Sequence, residues 1–327
     1  MPHAIQIKTF GGPEVMEYVD LPVGDPPPGQ IRVRHRACGV NFIDTYHRTG
    51  LYPNALPLVL GSEGAGVVVA LGEGVTHLAV GDRVAYAGGP PGAYSEERVL
   101  PAQLAVRLPD SIDFDTAAGM MLKGMTAQFL LKKTLPQGGL QPGDFVLFHA
   151  AAGGVGSIAC QWAKALGLRL IGTAGSDDKC RHALALGATH AINYRTQDFV
   201  TEVRRLTGGQ GVKVVYDGVG KDTFERSLDC LAPFGLLASF GNASGVVPPF
   251  GIGMLGPKGS LYVTRPTLFT HLASAENVQA MAADLFGVVA GGQVKIHIER
   301  RYPLANAAQA HRDMEARQTT GSTVLLP

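Results

Sequence analysis

The sequence predicts an α/β protein with two domains, one rich in short strands and one built on a doubly wound parallel sheet. Three observations lead to this prediction: strands broken by Pro and Gly in the first third, a regular alternation of strands and helices over 143–266, and a glycine turn at 151–156 within that stretch. At 327 residues the chain is also too long for one ordinary hydrophobic core. We expect the parallel-sheet domain at 125–266 and the other domain at 1–124 and 267–327.

The first domain is predicted to contain strands at 31–37, 63–72 and 81–86. Residues 31–37 alternate polar and apolar side chains, as a half-buried strand does. A helix is expected to begin after Asp113, because Asp commonly caps helix N-termini. The tail has no nucleotide-binding motif and is assigned to this domain, with helices expected at 276–290 and 305–317 and a strand at 294–299.

The second domain is predicted from its alternating pattern. Apolar strands are expected at 146–149, 169–173, 191–194, 212–217, 236–241 and 260–264, and helices between them include 157–166 and 179–186. Helices that link parallel strands cover both faces of the sheet, so this rhythm indicates a Rossmann-type doubly wound fold.

The composition narrows the class of protein. Hydrophobic residues make up 46% and charged residues 17%, which is typical of a well-buried globular enzyme. The net charge is only +1 and no basic stripe is visible, so nucleic acid is not expected as the main ligand. No apolar run has membrane-spanning length, and no signal peptide precedes the first strand pattern. Four cysteines without a C-x-x-C pair predict buried free thiols rather than disulfides, and hence a cytoplasmic protein.

The glycine turn predicts a dinucleotide site. Ala151-x-Gly153-x-x-Gly156 matches the G-x-G-x-x-G fingerprint with Ala in the first position, and it follows an apolar strand. Its glycines allow close approach to a pyrophosphate, and a helix that starts near Val155 directs free amides at the negative charge. We expect the cofactor to contact Gly153, Gly154, Val155 and Gly156.

The end of the next strand favours NADPH. An acidic residue normally binds the ribose 2′-hydroxyl there, but this chain has Gly175 and Ser176, with Lys179 just beyond. A hydroxyl and an ammonium suit a 2′-phosphate, which a carboxylate would repel. Asp177 and Asp178 act against this interpretation, and Lys179 has the alternative of being a solvated lysine in the first helical turn.

Three further positions near this site are open to two interpretations. Tyr194 and Arg195 follow the next strand and either close over the adenine or phosphate or form a surface pair without function. His149 precedes the glycine turn on a buried strand and is expected to be a satisfied core histidine rather than an acid–base group.

Beyond these features, the chain resembles the medium-chain dehydrogenase/reductase superfamily and, within it, the zinc-free quinone oxidoreductases of the zeta-crystallin type. The resemblance spans the chain and implies a β-rich GroES-like catalytic domain beside the Rossmann domain. It is carried by the segments 39–46, 61–66, 81–84, 92–94, 150–156, 193–194, 216–220, 239–242 and 259–266.

The residues at the superfamily's zinc positions indicate chemistry without a metal. Zinc-dependent members have a cysteine and a histidine where this chain has Asn41 and Ser62, and an amide and a hydroxyl do not replace those zinc ligands. The four-cysteine lobe of the structural zinc is also absent from the sequence. A conjugated acceptor such as a quinone needs no Lewis acid, because the charge from hydride delivery spreads over its ring. NADPH is therefore expected as the only cofactor.

The resemblance also implies roles for single residues. Asn41, Tyr46 and Tyr52 are expected around the nicotinamide in the cleft between the domains, where Asn41 donates to a quinone oxygen and the tyrosines stack or donate. Asp44 is expected to be structural, since a carboxylate beside a hydride acceptor opposes the developing charge. Further cofactor contacts are expected at Phe42, Tyr46, Thr126, Gly218, Phe240, Gly241, Asn242, Val263, Arg265 and Arg317. A solvated arginine at a helix end is the alternative for Arg317.

The alternatives to quinone reduction stay within the same fold. One is an NADPH-dependent reductase of α,β-unsaturated aldehydes or ketones, and another is a crystallin or RNA-binding protein.

No residue is expected to act as an obligatory general acid, because a hydroquinone monoanion takes its proton from water. The residues are compatible with hydride transfer and with one-electron transfer. The last strand, 261–264, resembles the segment through which dimers of this family extend their sheets, so the resemblance implies a homodimer, with a tetramer as the alternative.

Overall fold

A computed structural model of the chain describes residues 1–135, 138–317 and 319–327. They form two compact units, one of Met1–Met125, His271–Ala290 and Ile296–Pro327, and one of Thr126–Thr270 with Gly291–Lys295. The sequence-based boundaries place 291–295 in the first domain instead. Those residues belong to the second unit because the side chain of Gln161 binds the backbone of Lys295 twice, at 3.0 Å to its carbonyl and 2.8 Å from its amide.

The secondary structure combines many short strands with helices of very different lengths. Strands in the described ranges are β1 His3–Ile7, β2 Glu17–Asp20, β3 Gln30–Gly39, β4 Leu58–Val59, β5 Glu63–Leu71, β6 Arg83–Ala87, β7 Glu97–Pro101, β8 Val106–Arg107, β9 Phe145–Phe148, β10 Arg169–Ala174, β11 His190–Asn193, β12 Val212–Asp217, β13 Leu231–Ser239, β14 Tyr262–Thr264, β15 Ile298–Pro303 and β16 Ser322–Leu326. Helices are α1 Phe42–Thr49, α2 Phe114–Lys133, α3 Gly154–Ala165, α4 Asp177–Ala185, α5 Phe199–Leu206, α6 Phe224–Leu228, α7 Leu268–His271, α8 Ala275–Ala290 and α9 Ala307–Glu315.

The second unit is built on a parallel sheet of six strands in the order β11-β10-β9-β12-β13-β14. Counted from β9, this is the 3-2-1-4-5-6 order of the Rossmann fold, which confirms the predicted fold class. Its inner strands are apolar because both faces are covered. Leu147, Ile171, Val215 and Leu237 come from four adjacent strands and pack in one core cluster with α5.

The first unit is largely antiparallel. One sheet has the order β15-β16-β3-β5-β6-β8, with β7 paired to β3, and a smaller sheet has the order β2-β1-β4. Along β3 the apolar Ile31 and Val33 are buried while Arg34 is exposed, as the alternation of residues 31–37 predicts. A second core cluster packs Ile5, Cys38 and Tyr94 against α9.

Most predicted elements agree with the structure to within a few residues. Asp113 caps α2 as expected, since its Oδ1 accepts a hydrogen bond of 2.7 Å from the amide of Thr116. The strand predicted at 294–299 is wrong by four residues, because β15 is positioned by its pairing with β16, a distant segment. Helix α1 was not predicted. Helices α5 and α6 lie where the alternation of strands and helices places them, but their bounds were not predicted. Across the described ranges, no helix is both long and apolar enough to cross a membrane.

Candidate active site

The glycine turn joins β9 to α3 as predicted. Gly153 lies in the N-cap position with extended backbone, and α3 begins at Gly154. A Cβ added at Gly156 would lie 2.5 Å from the carbonyl oxygen of Ala150 and 2.6 Å from that of Ala151, so this position admits only glycine. The first amides of α3 have no carbonyl partner inside the helix, and such amides accommodate a pyrophosphate.

The end of β10 brings Gly175, Ser176, Lys179 and Tyr194 together. A Cβ added at Gly175 would lie 2.6 Å from the hydroxyl oxygen of Tyr194, so the tyrosine ring covers this glycine. Ser176 caps α4, and its Oγ accepts a hydrogen bond of 3.3 Å from the amide of Lys179. This arrangement places a hydroxyl and a lysine in the same helical turn, where the sequence predicts the 2′-phosphate.

The two acids that oppose this prediction both have partners. Asp177 accepts a hydrogen bond of 2.7 Å from the side-chain amide of Asn193. Asp178 forms an ion pair with Arg181 on the next turn of α4. Arg181 offsets part of the negative charge that would repel a phosphate at Ser176, although an exposed pair contributes little by itself, and Asp177 is held in a hydrogen bond to the side chain of Asn193.

The loops after β12 and β13 approach each other closely. A Cβ added at Gly241 would lie 2.4 Å from the carbonyl oxygen of Gly218, and one added at Gly218 would lie 2.9 Å from the ring of Phe240. Arg265 follows β14 and donates to the carbonyls of Ser239, at 2.9 Å, and Gly241, at 3.1 Å. The predicted cofactor residues Gly218, Phe240, Gly241 and Arg265 therefore lie together at the carboxyl ends of neighbouring parallel strands, where ligands of this fold bind.

Asn242 and Asp217 complete this region. In the orientation that its neighbours require, the Asn242 amide donates to the Gly241 carbonyl at 3.0 Å and accepts from Arg265 at 3.1 Å. Asp217, at the end of β12, was not predicted as a functional residue. It accepts from the amides of Val219, at 2.8 Å, and Gly220, at 3.0 Å. In the sequence, the signal for this role in fixing the loop is an acid directly at the end of an apolar strand. In the structure, that acid is fully buried.

Three other positions of this unit have simple environments. Val263 lies in β14 opposite Leu237, and Thr126 is buried in α2. His149 is buried, with its ring nitrogens 2.9 Å from the hydroxyls of Thr173 and Ser227, and burial lowers its pKa. His149 is thus the satisfied core histidine that the sequence predicts.

In the first unit, a buried group of polar side chains surrounds Asn41 and Ser62, and we call it the carboxylate cluster. Asn41 donates through its side-chain amide to Glu63 Oε1 at 2.8 Å, and Ser62 donates to Asp44 Oδ1 at 2.7 Å. The cluster is lined by both carboxylates and their donors: Asn41, Asp44, Ser62, Glu63, Tyr94 and Lys123.

Asp44 holds the N-terminus of α1 in place. Its Oδ2 accepts from the backbone amide of Asn41 at 2.9 Å and from the hydroxyl of Tyr94 at 2.8 Å. Burial raises the pKa of Asp44 to about 6, against the opposing effect of these hydrogen bonds and that of Ser62. The predicted structural role of Asp44 agrees with these contacts.

A chain of hydrogen bonds continues from Asp44 to α9. Arg48 donates to His311 Nδ1 at 2.9 Å, so the other ring nitrogen, 3.0 Å from the hydroxyl of Tyr94, carries the proton. Burial and Arg48 lower the pKa of His311 to about 3 and keep the ring neutral. Arg48 is buried and also pairs with Glu315 at 2.7 Å. His311 was not predicted from the sequence, because no local pattern marks it.

The two candidate tyrosines contact each other. The rings of Tyr46 and Tyr52 meet edge to face with their centroids 5.2 Å apart, and the amide of Tyr52 donates to the carbonyl of Tyr46 at 3.1 Å. Asn54 donates to His47 Nδ1 at 2.7 Å and to the carbonyl of Tyr52 at 3.0 Å, which ties the Tyr52 loop to α1.

The remaining two predicted residues of this unit lie at helix ends. Phe42 is the first residue of α1 and is half-buried. Arg317 is exposed just past α9, where its φ of 57° is the left-handed conformation that often ends a helix. Among the described residues, no group of three or more His, Cys, Asp and Glu side chains is placed to hold a metal ion.

The family comparisons match both units. The family described as zinc-binding dehydrogenase matches residues 154–284, and the alcohol dehydrogenase GroES-like domain matches residues 27–110. With the Rossmann strand order and the glycine turn, these matches define a member of the medium-chain dehydrogenase/reductase superfamily.

Individual relatives narrow the family. The chain is 56% identical over 328 residues to the quinone oxidoreductase of Pseudomonas aeruginosa, with 100% of both chains covered. It is 47% identical over 332 residues to the 2-haloacrylate reductase of a Burkholderia species, covering 99% of this chain and 98% of that one. The crystal structure of Escherichia coli quinone oxidoreductase complexed with NADPH matches with a TM-score of 0.97 and 48% identity, covering 99% of this chain and 100% of that one. The chain belongs to the quinone oxidoreductase family, as its motifs predict.

Proposed function

We propose that this protein reduces quinones with NADPH and without a catalytic metal. The observation that carries the proposal is the start of α4, where Ser176 and Lys179 share one helical turn and both neighbouring acids have partners. A 2′-phosphate there meets a hydroxyl and an ammonium rather than an unpaired carboxylate. The similarity to an Escherichia coli quinone oxidoreductase solved with NADPH supports the same cofactor.

The second unit holds the cofactor. When bound, NADPH supplies the reducing equivalents for the acceptor. Gly153–Gly156 bind the pyrophosphate through backbone amides, and the ring of Tyr194 contacts the adenosine half. Thr126, Val263, Arg265 and the loops at Gly218 and 240–242 bind the nicotinamide half. Arg317 is proposed as a further cofactor residue.

The first unit acts on the quinone. One hydrogen of the Asn41 amide binds Glu63, and the second is proposed to donate to a quinone oxygen. Tyr46 and Tyr52, which already pack against each other, present ring faces and hydroxyls to a flat substrate, and Phe42 adds an apolar contact. These groups orient the acceptor, and the proton that completes the hydroquinone comes from water.

Initial rates with two cofactors and four acceptors test this function. We expect kcat/KM for NADPH to exceed that for NADH by at least about tenfold with 1,4-benzoquinone, as expected for one recovered charge-assisted contact. Both 1,4-benzoquinone and 9,10-phenanthrenequinone should react faster than a short enal and 2-chloroacrylate. A preference for 2-chloroacrylate or the enal would instead assign the protein to conjugated-alkene reduction.

Metal independence has its own measurement. Asn41 and Ser62 engage Glu63 and Asp44 with groups that are poor zinc ligands. We expect dialysis against a chelator to leave quinone reduction unchanged and added zinc not to increase it. Activity that is lost on chelation and restored by stoichiometric zinc would contradict the proposal.

A homodimer is proposed through the edge of the parallel sheet. β14 is paired on one side with β13, and apolar side chains nearby are exposed: Phe234, Ile252 and Tyr262. An exposed strand edge with apolar neighbours is typical of an association surface. Light scattering at micromolar concentration should give the dimer mass, and Ile252→Lys should lower it. A wild-type monomer would contradict the proposal, and a mass of four chains would replace the dimer by a tetramer.

We also propose a cytoplasmic location. All four cysteines are buried and free, and burial raises the pKa values of Cys38, Cys160 and Cys230 to about 12. Thiols persist in this form in a reducing compartment. Cell fractionation tests the location, and recovery from a secreted fraction would contradict it.

A further inference from the structure

The carboxylate cluster contains an ion pair that the quinone chemistry above does not use. Lys123 Nζ lies 2.9 Å from Glu63 Oε1, and these side chains are only 7% and 0% exposed. Asn41 donates to the same oxygen at 2.8 Å, and the amide of Leu122 donates to Oε2 at 2.6 Å. Glu63 Oε1 therefore binds both a proposed substrate-orienting amide and a buried ammonium.

The packing around Glu63 leaves its carboxylate no room to turn. A Cβ added at Gly39 would lie 2.2 Å from Glu63 Oε1 and 2.1 Å from the carbonyl oxygen of Ala118. Gly39, the last residue of β3, therefore packs directly against the carboxylate and against α2. Because the carboxylate is fixed, the amide that donates to it is fixed as well.

The charge of Glu63 matters for the reaction. Reduction of a quinone places negative charge on its oxygens, and a nearby buried carboxylate without a counter-ion opposes that charge. Burial without a counter-ion also strongly favours the neutral carboxylic acid over the charged carboxylate. Lys123 meets both requirements, because its ammonium offsets the charge while the carboxylate keeps its hydrogen bond to Asn41.

We propose that Lys123 is a positioning residue for quinone reduction: it neutralises Glu63 and so lets this carboxylate orient the Asn41 amide toward the acceptor. This role rests on the proposed function. It accounts for a lysine buried in the first unit, where an uncharged residue would otherwise be expected.

A double-mutant cycle tests the proposal with 1,4-benzoquinone as the acceptor. Lys123→Met should lower kcat/KM for the quinone about thirtyfold, while the Kd for NADPH, measured by nucleotide fluorescence, stays within about twofold. Lys123→Arg should recover most of the activity. The double variant K123M/E63Q should return to within about fivefold of wild type, because it removes the uncompensated charge together with its counter-ion. Lys133→Met, at the exposed end of α2, is the matched control and should change nothing.

The pH dependence of stability reports the ion pair without any substrate. Titratable groups close to Glu63 come from several elements: Asp44 of α1, Cys38 of β3, Tyr86 of β6, and Tyr94. They are present in every variant, so differences between variants isolate Glu63. In K123M the buried carboxylate has lost its ammonium partner, and an unpaired buried charge costs free energy, so this variant should be less stable at the higher pH. Between pH 5 and pH 8 the Tm of K123M should fall by about 5 °C more than that of K123M/E63Q.

Four results would overturn the proposal. They are a wild-type kcat/KM in K123M, a double variant as slow as K123M, a loss of NADPH affinity in K123M equal to its loss of kcat/KM, and a Tm of K123M that falls between pH 5 and pH 8 no more than that of K123M/E63Q. If K123M does not fold, the same measurements on K123R and K123M/E63Q test the role of Lys123. A wild-type enzyme that reduces no quinone would remove the proposed function itself, and the Tm series would still show whether the ion pair exists.

Discussion

The glycine turn of the parallel sheet and the carboxylate cluster of the other unit hold their functional groups in opposite ways. The turn uses backbone amides from one short segment, and its geometry depends on a missing side chain at Gly156. The cluster uses buried charged side chains from separate segments, among them Asp44, Glu63 and Lys123. The turn should therefore be sensitive to added volume, and the cluster should be sensitive to charge and pH.

The largest expected effect is at the turn. Gly156→Ala places a Cβ within 2.6 Å of two backbone carbonyl oxygens, which cannot move without displacing β9 or α3. We expect NADPH affinity to fall by about a thousandfold or more, because the amides of α3 leave the pyrophosphate. Fluorescence titration measures the affinity. Gly251→Ala, where a Cβ meets nothing within 4 Å, is the control. Unchanged NADPH affinity in G156A would show that the turn accommodates the added Cβ.

The next effect tests the charge sensitivity of the cluster. The pKa of Asp44 is raised from 3.8 to about 6 in the folded chain, so the fold binds this proton more tightly than the unfolded chain does. The resulting stability is present below pH 4 and is lost as the pH rises through about 6, a change of about 3 kcal/mol. Asp44→Asn lacks this dependence.

Urea unfolding of wild type and D44N at a series of pH values measures this pH-dependent contribution of Asp44 to stability. The stability difference, wild type minus D44N, should fall by about 2 kcal/mol between pH 4 and pH 7. Asp110→Asn, at a fully exposed acid, controls for the loss of a charge. A difference that is the same at every pH would mean that Asp44 does not titrate in this range.

A smaller effect sharpens the cofactor side of the comparison. Lys179→Ala should raise KM for NADPH about tenfold and leave KM for NADH nearly unchanged, because only the first cofactor carries the 2′-phosphate. Lys164→Ala, an exposed lysine of α3, is the control. An equal rise in KM for both cofactors would show that Lys179 contacts the pyrophosphate or stabilises the fold, and that it does not contact the 2′-phosphate.

The smallest effect concerns the tyrosines. Tyr46→Phe and Tyr52→Phe keep the edge-to-face ring contact and remove one hydroxyl each. If water supplies the proton, kcat should fall no more than about tenfold in either variant. A loss of about a millionfold with intact NADPH binding would instead identify an obligatory general acid. Phe129→Leu, a core change in the other unit, separates loss of stability from loss of the hydroxyl.

Much of the second unit was predictable because its signals are local. A buried parallel strand, a glycine turn and the following helix lie within one stretch, so the pattern of apolar residues and glycines predicted the succession of strands and helices and the position of the glycine turn. Gly175, Ser176 and Lys179 occur together for the same reason. The strand at 298–303 was misplaced because its position depends on pairing with β16, which no local pattern reveals.

The sequence by itself determined the fold class, the dinucleotide turn and the residue types at Asn41 and Ser62, since each is a property of neighbouring residues. Only the tertiary structure decided which partners those residues have. It paired Lys123 with Glu63 and connected Asp44 through Tyr94 to His311, more than two hundred residues further along the chain. The physical reason is that burial makes every charge depend on a partner, and the fold brings that partner from a distant segment.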